Sequence, residues 1–121
     1  MSRLAAKGKG SVQIAPAMTK AIAYIDENYM KQPGLESISK AAGVSSQHLC
    51  RLFRQTLNCR PMEYITKRKI QAAKILLAET QKTVDQIAEE TGFCDSSYFC
   101  KIFKRFESIT PSQFRSIEQA L

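Results

Sequence analysis

Glycine and proline are scarce in this sequence, and long apolar runs are missing. Five glycines and four prolines among 121 residues, with 44% hydrophobic residues, predict a chain that is mostly ordered and globular. No run approaches the roughly 20 apolar residues of a membrane-spanning helix, and residues 1–16 lack the apolar core of a signal peptide. A chain of this length can hold one or two small cores but no large enzyme cavity. We expect a cytoplasmic protein without membrane contact.

Cysteine and histidine are few and form no metal-binding or catalytic pattern. The four cysteines are separated by 8, 34 and 5 residues, and His48 is the single histidine. This spacing fits no structural zinc site. On a helix, His48 and Cys50 point in different directions, and no third residue orients the imidazole. We expect no catalysis, no metal and no cofactor. Ordinary reduced thiols are favoured, with a redox switch at Cys50 or Cys100 as the alternative.

Positive charge is unevenly distributed along the chain. The net charge is +7, and residues 51–74 carry seven basic side chains against one acidic side chain. Residues 75–95 carry five acidic side chains against one basic one, and Lys101, Lys104 and Arg105 then form a second basic patch. An uneven basic surface is typical of proteins that bind a polyanion. From the charge distribution alone, a solvated cationic face without a partner is as well supported as a surface that binds a polyanion.

One motif occurs twice, in residues 35–64 and 84–114. Each copy has the pattern of a helix, a tight turn and a second helix, with the turn at Gly43 or Gly92, because glycine adopts a positive φ at no steric cost. The offset is 49 residues before the turn and 50 after it, so the second turn is one residue longer. Such self-similarity indicates duplicated architecture, here two helix-turn-helix units.

Apolar spacing and capping signals predict an all-α fold of about seven helices. The first begins near Met18, and the next two cover residues 35–42 and 46–56. Pro61 suits the first position of a long helix over residues 61–79.

Polar caps predict where the remaining helices begin. Capping boxes at residues 83–86 and 110–113 open the fifth and seventh helices, whereas Asp95 caps the sixth and Ser45 the third. Four segments follow from this division: a flexible leader (1–16), a first homeodomain-like three-helix unit (17–60), a linker helix (61–80) and a second such unit (81–121).

Apolar residues and one threonine are predicted to lie where the two helices of each unit pack together. In the first unit these positions are Ile38, Ala42, Val44, Leu49 and Leu52. In the second unit they are Ile87, Ala88, Thr91, Phe93, Phe99 and Ile102. Four further aromatic residues are predicted to be core residues by their spacing: Phe53, Phe103, Phe106 and Phe114.

The opposite face of the second helix in each unit is polar and basic. Hydroxyl, amide and basic groups in one stripe suit the major groove, where Arg51 can bond guanine and Gln47 adenine. Base contacts are predicted for Ser46, Gln47, Cys50, Arg51, Ser96, Ser97, Cys100 and Lys101. Backbone contacts are predicted for Arg54, Arg60, Lys67, Arg68 and Lys104. A linker helix of about 28 Å allows both units to occupy successive major grooves on an asymmetric site of about two helical turns.

Three segments give the sequence a resemblance to a known family. The first is Ile87-Ala88-x-x-x-Gly92-Phe93-x-Asp95-x-Ser97-Tyr98-Phe99-x-Lys101-x-Phe103-Lys104. The second is Thr110-Pro111-Ser112-x-Phe114-Arg115, and the third is Arg68-Lys69-Ile70-x-x-Ala73-Lys74-x-Leu76-Leu77. Over residues 18–118 the sequence resembles the DNA-binding domain of the AraC/XylS transcriptional regulators. The resemblance implies two helix-turn-helix subdomains that bind double-stranded DNA, in a family whose members mostly activate bacterial transcription, and it implies the same base-contact positions.

The sequence departs from the family pattern at several positions. Ser39 stands where the first unit often has alanine, and Ser108 replaces the usual glycine before Thr110. Cys50 and Cys100 occupy positions where small polar residues are common.

Partners other than DNA are also expected. The acidic stretch over residues 79–95 disfavours DNA and is a candidate contact for RNA polymerase. We expect the protein to be located at the nucleoid. Family members usually carry an effector-binding or dimerisation domain, and none is visible here. A C-terminal fragment of a longer effector-responsive regulator is therefore favoured over a stand-alone regulator.

Overall fold

The computed structural model describes residues 14–120, which form seven α-helices and one short 3₁₀ helix, with no strand in that range. The α-helices are α1 (Pro16–Asn28), α2 (Leu35–Ala42), α3 (Ser46–Leu57), α4 (Pro61–Glu79), α5 (Val84–Glu90), α6 (Ser96–Glu107) and α7 (Pro111–Ala120). The 3₁₀ helix covers Tyr29–Lys31. The all-α class is confirmed. Residues 1–13 of the predicted leader lie outside the described residues.

Polar caps fix the helix starts where the sequence predicted them. The Ser45 hydroxyl accepts a hydrogen bond from the His48 amide at 3.1 Å, and the Asp95 carboxylate accepts one from the Tyr98 amide at 2.7 Å. The two capping boxes form with reciprocal bonds of 2.9 to 3.1 Å. The start of α1 was predicted two residues too late, because Pro16 at the first helical position is itself a start signal.

Each unit has its own hydrophobic core, and α4 contributes to both. The first core joins α1, α2 and α3 with Ile65 near the start of α4. The second joins α5 and α6 with Ile70, Ala73 and Leu77 from the rest of α4, and Phe114 of α7 packs against it. The linker helix is therefore a shared structural element and not a free spacer. No helix within residues 14–120 has the length and apolar character needed to cross a bilayer.

Most predicted core positions are buried, but four are not, and one of the four is Phe114, which is half-buried beside the second core. Val44 and Leu52 are half-buried at the margin of the first core. Phe106 was predicted to be core and is 39% exposed. The apolar period of α6 continues to Phe106, but the core ends at Phe103, and the Phe106 ring lines a surface groove with Met62 instead.

A residue in the left-handed conformation follows each of the two helices in both helix-turn-helix units. Gly43 and Gly92 make the two turns with φ of 75° and 89°. Asn58 follows α3 with φ 54°, and Ser108 follows α6 with φ 72°. Ser108 thus adopts the conformation of the glycine that it replaces, at a steric cost that glycine does not have.

Candidate nucleic-acid interface

Helices α3 and α6 present the same pattern of exposed side chains. Their inner faces are anchored by fully buried residues, Leu49 and Phe53 in α3 and Phe99 and Phe103 in α6. With those residues buried, the opposite face of each helix is directed to solvent. The two helices therefore expose equivalent stripes although only some of the residues are identical.

The predicted base-contact residues match pair by pair in exposure. Ser46 and Ser96 are half-buried, and so are Cys50 and Cys100. The remaining members of the stripe are exposed: Gln47 and Ser97, Arg51 and Lys101, and Arg54 and Lys104. The stripe carries hydrogen-bonding groups at the start of each helix and cations further along, an order that suits base edges followed by phosphates.

In the second unit, the thiol on this face belongs to Cys100 and is protonated at neutral pH. Burial raises the pKa of the Cys100 thiol, and the carboxylate of Asp85 raises this pKa further. The four cysteines are free, and residues 14–120 contain no cluster of metal-ligating side chains. Cys100 can contact an apolar group such as the thymine methyl, but it offers little nucleophilicity.

Four of the five predicted backbone-contact residues are exposed cations without ion pairs among residues 14–120: Arg54, Arg60, Lys67 and Lys104. Arg68 differs. Its Nε donates to the Asp26 carboxylate at 2.8 Å, and its guanidinium lies 5.2 Å from the centre of the Tyr29 ring. Arg68 therefore holds α4 against α1, and a phosphate must compete with Asp26 for it.

His48 and Tyr98 occupy equivalent places beside the two stripes and are both exposed. The Tyr98 ring is 48% exposed and lies 6.2 Å from the Phe93 ring, centre to centre. Tyr98 therefore packs in part against the turn of the second unit.

The two units are in direct contact beside α4. The 3₁₀ helix of the first unit packs on Gly92 in the turn of the second. The Lys69 ammonium donates to the Gly92 carbonyl at 2.9 Å and lies 5.3 Å from the centre of the Phe93 ring. Burial lowers the pKa of Lys69. An open cleft of about 530 Å³ lies alongside, lined in part by Pro33, Ile65 and Tyr98.

Several residues important to this arrangement carried no sequence prediction of their role. Arg115 donates to the backbone carbonyls of Leu77, Thr80 and Lys82, which ties α7 to the end of α4. Ser39 bonds the Ser46 hydroxyl across the crossing of α2 and α3. Both contacts join residues that are distant in sequence or on different helices, so only the departure from alanine at Ser39 hinted at either.

Two helix-turn-helix units joined by a shared helix, each with a polar and basic outer face, define the class of tandem helix-turn-helix domains. A family described as "Helix-turn-helix domain" matches residues 38–117. The chain belongs to this AraC/XylS-type family, as the DNA-binding domain of a transcriptional regulator. This is a family of regulator domains and not of enzymes, in agreement with the sequence-based expectation.

Relatives and solved structures agree with this membership. The chain is 32% identical over 95 residues to the lactose operon transcription activator of Staphylococcus xylosus, covering 78% of this chain and 34% of that protein. It is 35% identical over 92 residues to the HTH-type transcriptional regulator YijO of Escherichia coli, covering 76% and 32%. The chain therefore spans about a third of the length of these relatives.

The fold is similar to that of solved regulator domains. A transcriptional regulator with an AraC-type DNA-binding domain from Chromobacterium violaceum is 29% identical, with a TM-score of 0.81 over 85% of this chain and 92% of that chain. The DNA-binding domain of AdpA, solved in complex with a target DNA, has a TM-score of 0.82 at 22% identity, over 88% and 96%. The second likeness concerns the fold alone.

Proposed function

We propose that this chain binds double-stranded DNA sequence-specifically and regulates, principally activates, bacterial transcription. The observation that carries the proposal is the pair of equivalent exposed stripes on α3 and α6. A relative by sequence supports it, since the protein of Staphylococcus xylosus is named a lactose operon transcription activator.

The two stripes supply the proposed contacts. Base edges are contacted by Ser46, Gln47, Cys50, Arg51, Ser96, Ser97, Cys100 and Lys101. The DNA backbone is contacted by Arg54, Arg60, Lys67 and Lys104, and by Arg68 where a phosphate displaces Asp26. Arginine and lysine further along each recognition helix neutralise phosphates, and this term makes binding dependent on salt.

The proposed operator is asymmetric and about two helical turns long. Because the duplication lies within one chain, the two blocks need not be related by symmetry. The 19 residues of α4 span about 28 Å, close to the roughly 34 Å between successive major-groove faces. Contacts at Lys69 and Gly92 favour one fixed spacing between the blocks.

Two further partners belong to the proposal. Glu89 and Glu90 are exposed on α5, and RNA polymerase at the nucleoid is the expected partner of this acidic surface. An effector-binding domain in a longer parent protein is the expected source of regulation. Reversing the charge of both glutamates is expected to lower activated transcription while leaving DNA affinity nearly unchanged.

The experiment that tests the proposal is selection of binding sites from random duplex DNA at two salt concentrations. The expected result is one asymmetric motif with two enriched blocks about one helical turn apart. Arg51→Ala is expected to relax one base position in the first block at a cost of about 1–3 kcal/mol. Lys101→Ala serves as the matched variant and is expected to affect only the second block.

Each alternative outcome has a definite meaning. One enriched block shows that a single unit reads the sequence and that the other anchors the protein. Binding without any motif, lost as salt rises, contradicts the proposal and leaves only an electrostatic polyanion binder.

A further inference from the structure

Two serine hydroxyls meet where α2 crosses α3 in the first unit. The Oγ atoms of Ser39 and Ser46 are 3.2 Å apart, within hydrogen-bond distance. Ser39 is 5% exposed and lies inside the unit, whereas Ser46 is half-buried at the start of the recognition helix. The pair thus joins a buried hydroxyl to one on the proposed DNA-facing stripe.

The direction of this hydrogen bond follows from a second contact of Ser39. Its Oγ lies 2.9 Å from the backbone carbonyl oxygen of Glu36. A carbonyl oxygen only accepts, and a serine has a single hydroxyl proton. The Ser39 proton is therefore used on Glu36, and Ser46 must be the donor in the bond between the two serines. The Ser46 hydroxyl then has only acceptor lone pairs left for a partner outside the protein.

We propose that Ser39 is a positioning residue that makes Ser46 an acceptor-only reader of the major groove. An acceptor pairs with the exocyclic amino groups, N6 of adenine and N4 of cytosine, and not with guanine O6, thymine O4 or a phosphate oxygen. This specificity rests on the proposed function, since it requires Ser46 to contact a base.

The second unit provides an internal comparison. Ala88 occupies the place of Ser39 and is 1% exposed, so the crossing there has no hydroxyl. Within residues 14–120 no hydrogen bond involves the Ser96 hydroxyl, which remains able to donate or accept. The position equivalent to that read by Ser46 is therefore less selective in the second block than in the first.

The test compares wild-type protein with Ser39→Ala and Ser46→Ala by site selection and competition binding on randomised duplexes. Ser39→Ala reproduces the residue that the second unit carries at this crossing, so it is expected to fold. Ser46→Ala identifies the base position that Ser46 reads. There, wild type is expected to favour adenine or cytosine, and Ser39→Ala to bind guanine or thymine roughly five- to tenfold better relative to wild type.

The outcomes separate the roles. A preference for guanine or thymine at the Ser46 position in wild type overturns the proposal, as does an unchanged profile in Ser39→Ala. A uniform loss of affinity in Ser46→Ala, without a change of preference at any base, also overturns it. The second block should stay unchanged in both variants and reports their folding. Absence of both blocks in wild type contradicts the proposed function itself, before Ser39 is considered.

Discussion

Gly92 lies directly against the backbone of Met30. A Cβ atom added to Gly92 would be 2.7 Å from the Met30 Cα and 2.9 Å from its carbonyl oxygen. Met30 belongs to the 3₁₀ helix of the first unit and Gly92 to the turn of the second, so the two units touch at a point where no side chain fits. The glycine is thus required by this contact as well as by its positive φ.

Replacing Gly92 is therefore expected to cost more than replacing the equivalent glycine of the first unit. In Gly43→Ala the added Cβ atom meets open space. The only cost is that alanine must adopt the left-handed conformation, which lowers the stability by about 1–2 kcal/mol. Gly92→Ala adds a clash with Met30, for a total of about 3 kcal/mol or more. Urea unfolding of both variants measures the difference. Equal losses of unfolding free energy in the two variants would show that the contact between the units adjusts to the added Cβ atom without loss of stability.

Arg115 is expected to be a structural residue in spite of its positive charge. Its guanidinium bonds three carbonyl groups at and just beyond the end of α4, so Arg115→Met should lower the free energy of unfolding by about 2–3 kcal/mol. Arg115→Lys should recover little, because an ammonium lacks the planar fork of donors. Thermal melts compare these variants with Arg105→Met, an exposed control. A loss of DNA affinity without a loss of stability would contradict the assignment.

Ser108→Gly is expected to stabilise the protein by about 0.5–1 kcal/mol. Ser108 has φ 72°, a conformation that costs an L residue about 1–2 kcal/mol. Glycine removes this strain, but its greater entropy in the unfolded chain offsets part of the gain in stability. Asn58→Gly is the matched variant after α3, with a smaller gain expected because asparagine tolerates this region. Denaturant midpoints provide the measurement. Destabilisation by Ser108→Gly would indicate that the serine side chain makes a contribution that its geometry does not explain.

The neighbouring cations Lys67 and Arg68 are expected to behave differently on DNA. Lys67 is exposed, and Lys67→Ala should weaken binding to all sequences and reduce the salt slope by about 1. Arg68→Ala should change the slope less, since Arg68 is paired with Asp26, and should cost about 1 kcal/mol of stability through loss of that pair and of the Tyr29 contact. Measuring the DNA affinity of both variants over a range of salt concentrations gives the two slopes. Equal slopes for both variants would place Arg68 on a phosphate.

Cys100 is expected to resist oxidation and alkylation near neutral pH. Burial and the nearby Asp85 raise its pKa, so the reactive thiolate forms only at a pH above the usual range of a thiol. In single-cysteine variants, iodoacetamide should modify Cys100 more slowly than the exposed Cys94, and the Cys100 rate should keep rising to higher pH. In the variant that keeps Cys100 as its single cysteine, peroxide should leave DNA affinity unchanged at neutral pH. Rapid modification of Cys100 would restore the redox alternative.

Features determined by neighbouring residues in the chain were predictable from sequence. The limits of α2 and α4 match the prediction, because glycine, proline and capping residues mark them within one turn. The exposed stripes follow from helical periodicity once Leu49 and Phe99 are placed inside. Phe106 was predicted wrongly because periodicity does not reveal where a core ends.

Features determined by the meeting of distant segments were not predictable. Met30 and Gly92 are far apart in the chain and meet only when both units are packed on α4. Asp26 and Arg68 are also far apart and meet only when α1 is packed on α4. The Ser39–Ser46 bond depends on two hydroxyl groups at a helix crossing, where the sequence shows only two small polar residues. Such contacts depend on tertiary geometry that no local pattern encodes.

A rigid junction between the units transfers any mismatch in spacing to the DNA. In the proposed complex, the protein offers about 28 Å along α4 where straight B-DNA repeats its major groove after about 34 Å. Curvature of the duplex that closes this difference costs of order 1–6 kcal/mol, depending on the stiffness of its base steps. Flexible pyrimidine–purine steps between the two blocks should thus strengthen binding, although no side chain touches them.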